Sequence, residues 1–324
     1  MDDAQKEEII SLIKTEKPLL KDTSIAQYVR TLNTLYKKLK SEGEEYNYME
    51  LFKNAGKVKD ALSEYHFTTA RNFYTSLITI LSTEAAPDKK IILQYEGIVK
   101  SNNEQYDKQN QSGIISVKQS GNFVGVEKID ELIMKLKKDE IHMAYILFSI
   151  LKYHHIRNEI ATLEQIALKS YNKLTTPEKK DKNFLVVGTK KLFISRNGYK
   201  TEKKYGEIIF DITHKPLIKE IRKYIKGLKD NIVFPFPDEI TSDKKQQLSS
   251  YLSYYSKKYI KVNLSTTLIA KIMLSHKHLE TKIAQEKDSK ERGHSVGVQN
   301  VVYVKKPLPS EEAETSPKDT SGTK

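Results

Sequence analysis

The chain has no cysteine among its 324 residues, which excludes disulfides, thiolate metal sites and a cysteine nucleophile. No stretch approaches the roughly 20 apolar residues that a membrane span needs. The start, Met1-Asp2-Asp3, is acidic where a secretory signal would be basic. A soluble intracellular protein of cytoplasm or nucleus, with no membrane partner, is the expectation. There is also no glycine-rich phosphate loop, no His-Glu-x-x-His pair and no Asp/Glu cluster of a two-metal nuclease. Neither a metal nor another cofactor is therefore expected. No internal repeat is present.

What the chain does have is enough apolar material for two cores, 38% hydrophobic and 9% aromatic. Lysine and arginine number 55 against 42 acidic residues, a net charge of +13. Such an excess favours a polyanionic partner, either nucleic acid or an anionic surface. A merely lysine-rich composition would account for the charge as well.

Apolar spacing predicts a helical arm within residues 1–19, broken at Lys17-Pro18, and then a helix capped by Ser24. That helix carries Ile25, Tyr28, Val29, Leu32, Leu35, Tyr36 and Leu39 on one face. A short piece near Leu51 and Val58 follows, then a helix opening at Thr68 and ending before Pro87, and another from Ile91 to about Gln111. Residues 20–111 thus read as one helical domain. Gly113, Ser116, Lys118, Gly121 and Asn122 mark 112–124 as a linker.

Residues 125–306 read as a mixed domain. Two helices, Val126 to Lys137 and Ile141 to His155, precede three short antiparallel strands at Asn183–Val187, Lys191–Ile194 and Glu207–Ile212. Helices return at Pro216–Leu228, Ser242–Tyr259 and Ser265–His278. The segment 307–324, rich in Pro, Ser, Thr, Glu and Lys, reads as a disordered tail. The fold class is mostly α with a small antiparallel sheet.

Three motifs stand in order along the second domain. Arg157 lies in Ile156-Arg157-Asn158-Glu159-Ile160, and Lys200 lies in Asn197-Gly198-Tyr199-Lys200-Thr201. Arg292-Gly293-His294-Ser295 follows, with Tyr303 nine residues beyond the histidine. Each is unspecific alone, since the chain has 19 tyrosines. Together they resemble the tyrosine recombinases, or phage-type integrases, and most nearly the integrase-like proteins of large DNA viruses and virophages. The resemblance covers most of residues 20–306.

The resemblance implies a helical core-binding domain and a catalytic domain that together clamp duplex DNA, assembling as a tetramer on it. It implies an enzyme that breaks and rejoins DNA strands without cofactor or metal. Tyr303 would be the nucleophile, leaving a 3′-phosphotyrosine that stores the bond energy. Arg157 would hold the phosphate with a guanidinium that does not deprotonate. Lys200, in a hairpin turn and early strand, would protonate the departing 5′-oxygen, with Lys203 and Lys204 close enough to be mistaken for it. His294 would bond a non-bridging oxygen, and Gly293 would allow close backbone approach. Arg30, Arg71, Lys118, Lys203 and Lys204 are the candidate DNA contacts.

One position departs from the family. Its second arginine belongs 23 or 24 residues before His294, where this chain reads Leu268-Ile269-Ala270-Lys271-Ile272, and no arginine stands between Arg222 and Arg292. Either Ala270 or Lys271 occupies the place, with the viral pattern favouring Ala270. A lysine keeps charge but not paired donors. An alanine removes a clamp, which by analogy with oxyanion-hole deletions costs roughly a hundredfold to a thousandfold in rate. Two other readings stay open: a DNA-binding protein of the same fold without turnover, and a type IB topoisomerase-like enzyme.

Overall fold

The computed structural model describes residues 1–40, 47–236 and 243–291, with Gly293 and Val296. The chain divides into two compact units, Met1–Ile115 and Ser116–Lys324. The fold class is mostly helical with one small sheet.

The first unit is helical throughout its described residues. It comprises α1 (Asp3–Glu16), α2 (Asp22–Leu39), α3 (Tyr48–Lys53), α4 (Ala55–Leu62), α5 (Phe67–Leu81) and α6 (Lys89–Gln111). Helix α1 starts in a capping box formed by Asp2 and Gln5 and contributes Ile9 and Ile13 to the core of this unit. The stretch read as an arm is therefore packed into the helical unit. Helix α2 begins two residues before Ser24, so that serine is not its cap. Asp22, in the first turn, favours this earlier start through the helix dipole. Its predicted stripe is buried except for Tyr28, which is half-buried. Tyr95 of α6 is fully enclosed and its hydroxyl donates to the Phe52 carbonyl at 2.7 Å. Burial pushes its phenol well above the usual range, so it stays a neutral donor.

The second unit opens with α7 (Val117–Ser120), α8 (Val126–Lys138) and α9 (His142–Tyr153). Phe123 and Val124 pack on its core, and the Asn122 side chain accepts from the Asn263 backbone at 2.6 Å. The end of the stretch read as a linker is thus anchored. Helix α9 is buried from Ala144 to Leu151, the central rod of this core. After it come a 3-10 turn (Asn158–Thr162), β1 (Leu163–Ala167), α10 (Leu168–Tyr171), α11 (Thr176–Lys179), β2 (Asn183–Val187) and β3 (Leu192–Arg196). Helix α12 (Glu202–Tyr205), β4 (Ile208–Asp211), α13 (Lys215–Ile225), α14 (Lys244–Ile260) and α15 (Thr266–Glu291) complete the order.

The sheet runs β1-β2-β3-β4. The three expected strands pair antiparallel, Asn183 facing Arg196 and Arg196 facing Ile208. The fourth, β1, joins β2 in parallel. Its Glu and Gln give weak strand propensity, and tertiary bonds hold it instead: Gln165 N–H donates to the Asn231 carbonyl at 2.7 Å, and Val233 N–H to the Leu163 carbonyl at 2.9 Å. Helix α15 runs well past His278, because Leu279–Glu291 contains good helix formers and the pairs Lys282–Glu286 and Lys287–Glu291 at i, i+4. Gly293 follows at φ 72°, the left-handed conformation that suits a helix end.

Candidate functional site

The site is built where α9 ends and the sheet begins. Ile156 is buried and fixes the chain as it leaves the helix. Arg157 then stands exposed at the head of the 3-10 turn. Among the described residues it has no hydrogen-bond acceptor and no ion-pair partner within contact distance. Its neighbour Asn158 is tied down on both sides. The Thr266 hydroxyl donates to Asn158 Oδ1 at 2.6 Å, and Asn158 Nδ2 donates to Ser249 Oγ at 3.3 Å. The backbone carrying Arg157 is thereby pinned to the starts of α14 and α15.

Glu159, the next residue, is buried and lies 3.9 Å from the Arg196 guanidinium. Arg196 is also buried, under the rings of Tyr199 at 4.7 Å and Phe210 at 5.7 Å. Its Nε and the Oε2 of Glu159 are enclosed with no hydrogen-bond partner among the described residues. Burial lowers the Arg196 pKa from its ordinary value; Glu159 and Tyr199 oppose that, and the charge of Arg157 adds to it. Arg157, two residues before Glu159, leads directly into the segment that carries this ion pair. Strand alternation puts Arg196 on the face of Leu192 and Ile194, which point into the main core. The alternation of residues 192–196 is the signal in the sequence that sets Arg196 on this face.

Lys200 is exposed and sits in the turn after β3, next to the tyrosine that covers Arg196. It lies outside any strand, since β3 ends at Arg196 and β4 begins only at Ile208. The feet of this loop are held firmly. Asn183 Oδ1 accepts from the backbone N–H of Asn197 at 3.2 Å and of Gly198 at 3.1 Å, and its Nδ2 donates to Thr162 Oγ1 at 3.1 Å. A Cβ at Gly198 would fall 2.4 Å from the Asp181 carbonyl oxygen, so only glycine fits. The Tyr199 hydroxyl donates to the Gly206 carbonyl at 2.7 Å, closing the loop over Lys200, Lys203 and Lys204. All three lysines are exposed.

Under the loop, Ser195 is fully enclosed. It donates to Glu207 Oε1 at 2.5 Å and accepts from Asn197 Nδ2 at 3.1 Å. Tyr171 bonds both Ser195 and Glu207. Burial would raise the Glu207 pKa, but the bonds from Ser195 and Tyr171 and the nearby Lys179 outweigh it and leave the group below its ordinary value. The carboxylate stays charged and keeps its donors.

Ala270 is half-buried on α15, one turn beyond Thr266 and so on the face that meets Asn158. The first turns of α15 are thus tied to the residue that follows Arg157. Lys271 is exposed and donates to Gln119 Oε1 at 2.9 Å. Burial pushes the imidazoles of His154 and His155 below their ordinary value, so neither adds a cation at neutral pH. His276 and His278 are exposed.

His294 and Tyr303 lie outside the described residues, as does the segment 307–324. Lys118 falls in α7. In the first unit, Arg30 is exposed and bonds Gln27 at 3.1 Å. Arg71 bonds Asn103 at 3.1 Å and lies 5.0 Å over the Tyr106 ring. No described helix is long and apolar enough to cross a membrane.

No family model matches the chain, and no curated protein matches it. Among solved structures, the crystal structure of XerA recombinase aligns with 96% of this chain and 99% of that chain, at 13% sequence identity and a TM-score of 0.33.

Proposed function

We propose that this chain is a site-specific DNA recombinase of the tyrosine recombinase family, nearest the integrase-like proteins of large DNA viruses. The observation that carries the reading is Arg157: exposed, without an acceptor among the described residues, on backbone pinned through Asn158, and joined through Glu159 to the strand that leads into the Lys200 loop. An exposed guanidinium carried on fixed backbone suits a ligand with paired oxygens, as a phosphodiester has.

In the reaction, the Tyr303 hydroxyl gives up its proton to solvent and attacks phosphorus, forming a tyrosyl–phosphate bond as the bond to the 5′-oxygen breaks. Lys200 delivers a proton to that oxygen, and Arg157 and His294 hold the non-bridging oxygens as charge builds. A 5′-hydroxyl returning to the phosphotyrosine reverses the steps on a new strand. The unit Met1–Ile115, with Arg30 and Arg71, and Lys118, Lys203 and Lys204 of the second unit contribute duplex contacts. Phosphate contacts make affinity fall with salt. Exchange between two duplexes calls for a tetramer assembled on DNA, formed by a soluble intracellular protein.

Ala270 favours a second reading, a DNA-binding protein of this fold that has lost turnover. A nicked suicide duplex separates the two. The expected outcome is a covalent adduct that maps to Tyr303 and is absent from Tyr303→Phe. Ala270→Arg should raise adduct formation, by up to roughly a hundredfold, with affinity little changed. Binding with no adduct from either the parent chain or Ala270→Arg would leave only the DNA-binding role. Relaxation of a plasmid lacking paired target sites would favour topoisomerase-like action.

A further inference from the structure

Arg157 lies two residues before Glu159, and Glu159 faces Arg196, so one carboxylate stands between the segment of one guanidinium and the side chain of the other. Among the described residues Glu159 is the one carboxylate in an ion pair with either, and it approaches Arg196 only to 3.9 Å, outside hydrogen-bonding distance. The Arg196 Nε and the Glu159 Oε2 are each enclosed without a hydrogen-bond partner among the described residues. Native interiors rarely leave such groups unpaired without a function or a missing ligand to explain them. Around them the scaffold is fully bonded: Asn158 is held by Ser249 and Thr266, and Asn183 binds Asn197, Gly198 and Thr162. At this site the enclosed polar deficit falls on Arg196 and Glu159, beside Arg157, which is exposed and unpaired among the described residues.

We propose that Arg196 is a second phosphate-binding guanidinium, which acts with Arg157 on the oxygens of one phosphodiester. Arg196, at the end of β3, then supplies part of the charge that is missing at Ala270, and Ala270→Arg would add a third guanidinium rather than replace one. The recombinase reading identifies the anion as a scissile phosphate; the anion site itself does not depend on it. Strand β3 fixes the Arg196 backbone, and the two rings limit where its guanidinium can go. Less rotamer freedom is then lost when the anion binds.

The test is thermal unfolding of the full chain in rising inorganic phosphate, against chloride at equal ionic strength. The parent chain should gain about a few degrees, saturably, because phosphate binds the folded state. Arg157→Lys and Arg196→Lys should each raise the half-saturating phosphate concentration by about tenfold or more, since a lysine cannot offer paired donors. Arg222→Lys should leave it unchanged, because Arg222 is committed to the Gly188 carbonyl at 2.6 Å, at the other end of the hairpin. If Arg196→Lys does not fold, the double variant Arg196→Met, Glu159→Gln removes both members of the ion pair together and should fold without the phosphate response. An unchanged response in either Arg196 variant, or no phosphate-specific response in the parent chain, overturns the proposal. A response that depends on both arginines with no adduct at Tyr303 keeps the anion site and removes the recombinase chemistry. An adduct with a response indifferent to Arg196 does the reverse.

Discussion

The arginines of the first unit and those of the candidate site are held in opposite ways. Arg30 and Arg71 already have polar partners on their own helices or the next one, Arg71 with an aromatic ring besides. To take a phosphate, each gives up a bond. Among the described residues Arg157 has none to give up, and the acceptor nearest Arg196 is a carboxylate at 3.9 Å. Counting cations along a basic chain does not separate these groups. Counting the acceptors already around each cation does, since a charge-assisted bond is strongest where nothing local competes for it.

The contrast can be broken most sharply at Glu159. Glu159→Gln leaves Arg196 buried beside Arg157 with no opposing charge, and should lower unfolding free energy by about 3 kcal/mol, the lower end for removing one member of a buried pair. Denaturant unfolding measures this; a neutral or stabilising result would mean that Arg196 does not rely on the carboxylate. Gly198→Ala comes next. Its Cβ would meet the Asp181 carbonyl at 2.4 Å, and the overpacking should cost roughly 1–3 kcal/mol. It should also lower cleavage more than DNA affinity, because the Lys200 loop shifts while the surface charges stay; a loss confined to affinity would detach the loop from the chemistry. The smallest effect is expected from Arg71→Ala, about 1 kcal/mol or less in stability and under about tenfold in DNA affinity. A larger affinity loss would show that the internal bonds of Arg71 are no barrier to phosphate binding.

Much of the helical framework was legible because burial on one face repeats at threes and fours, as in α2 and α5. The antiparallel strands were legible from β-branched runs between turn residues. Strand β1 was not, since Leu163-Glu164-Gln165-Ile166-Ala167 becomes a strand only through β2 and the backbone of residues 231–233. For the site, Arg157 and Lys200 carried recognisable neighbours. Arg196 did not stand out, because its burial depends on Tyr199, Phe210 and a carboxylate 37 positions away in the chain. Tertiary partners of that kind leave no local pattern.

Helix α15 starts as part of the core, with Leu268, Ile269 and Ile272 buried, and from Leu274 to Asp288 nearly every side chain faces solvent. One hydrogen-bonded rod is thus governed by two different energies. Unwinding its first turns means dismantling the interior, whereas unwinding its last ones costs little beyond helix propensity and a few surface ion pairs. Isotope exchange along α15 would therefore be slow at one end and fast at the other, and a protease could nick the outer turns while the interior stays intact.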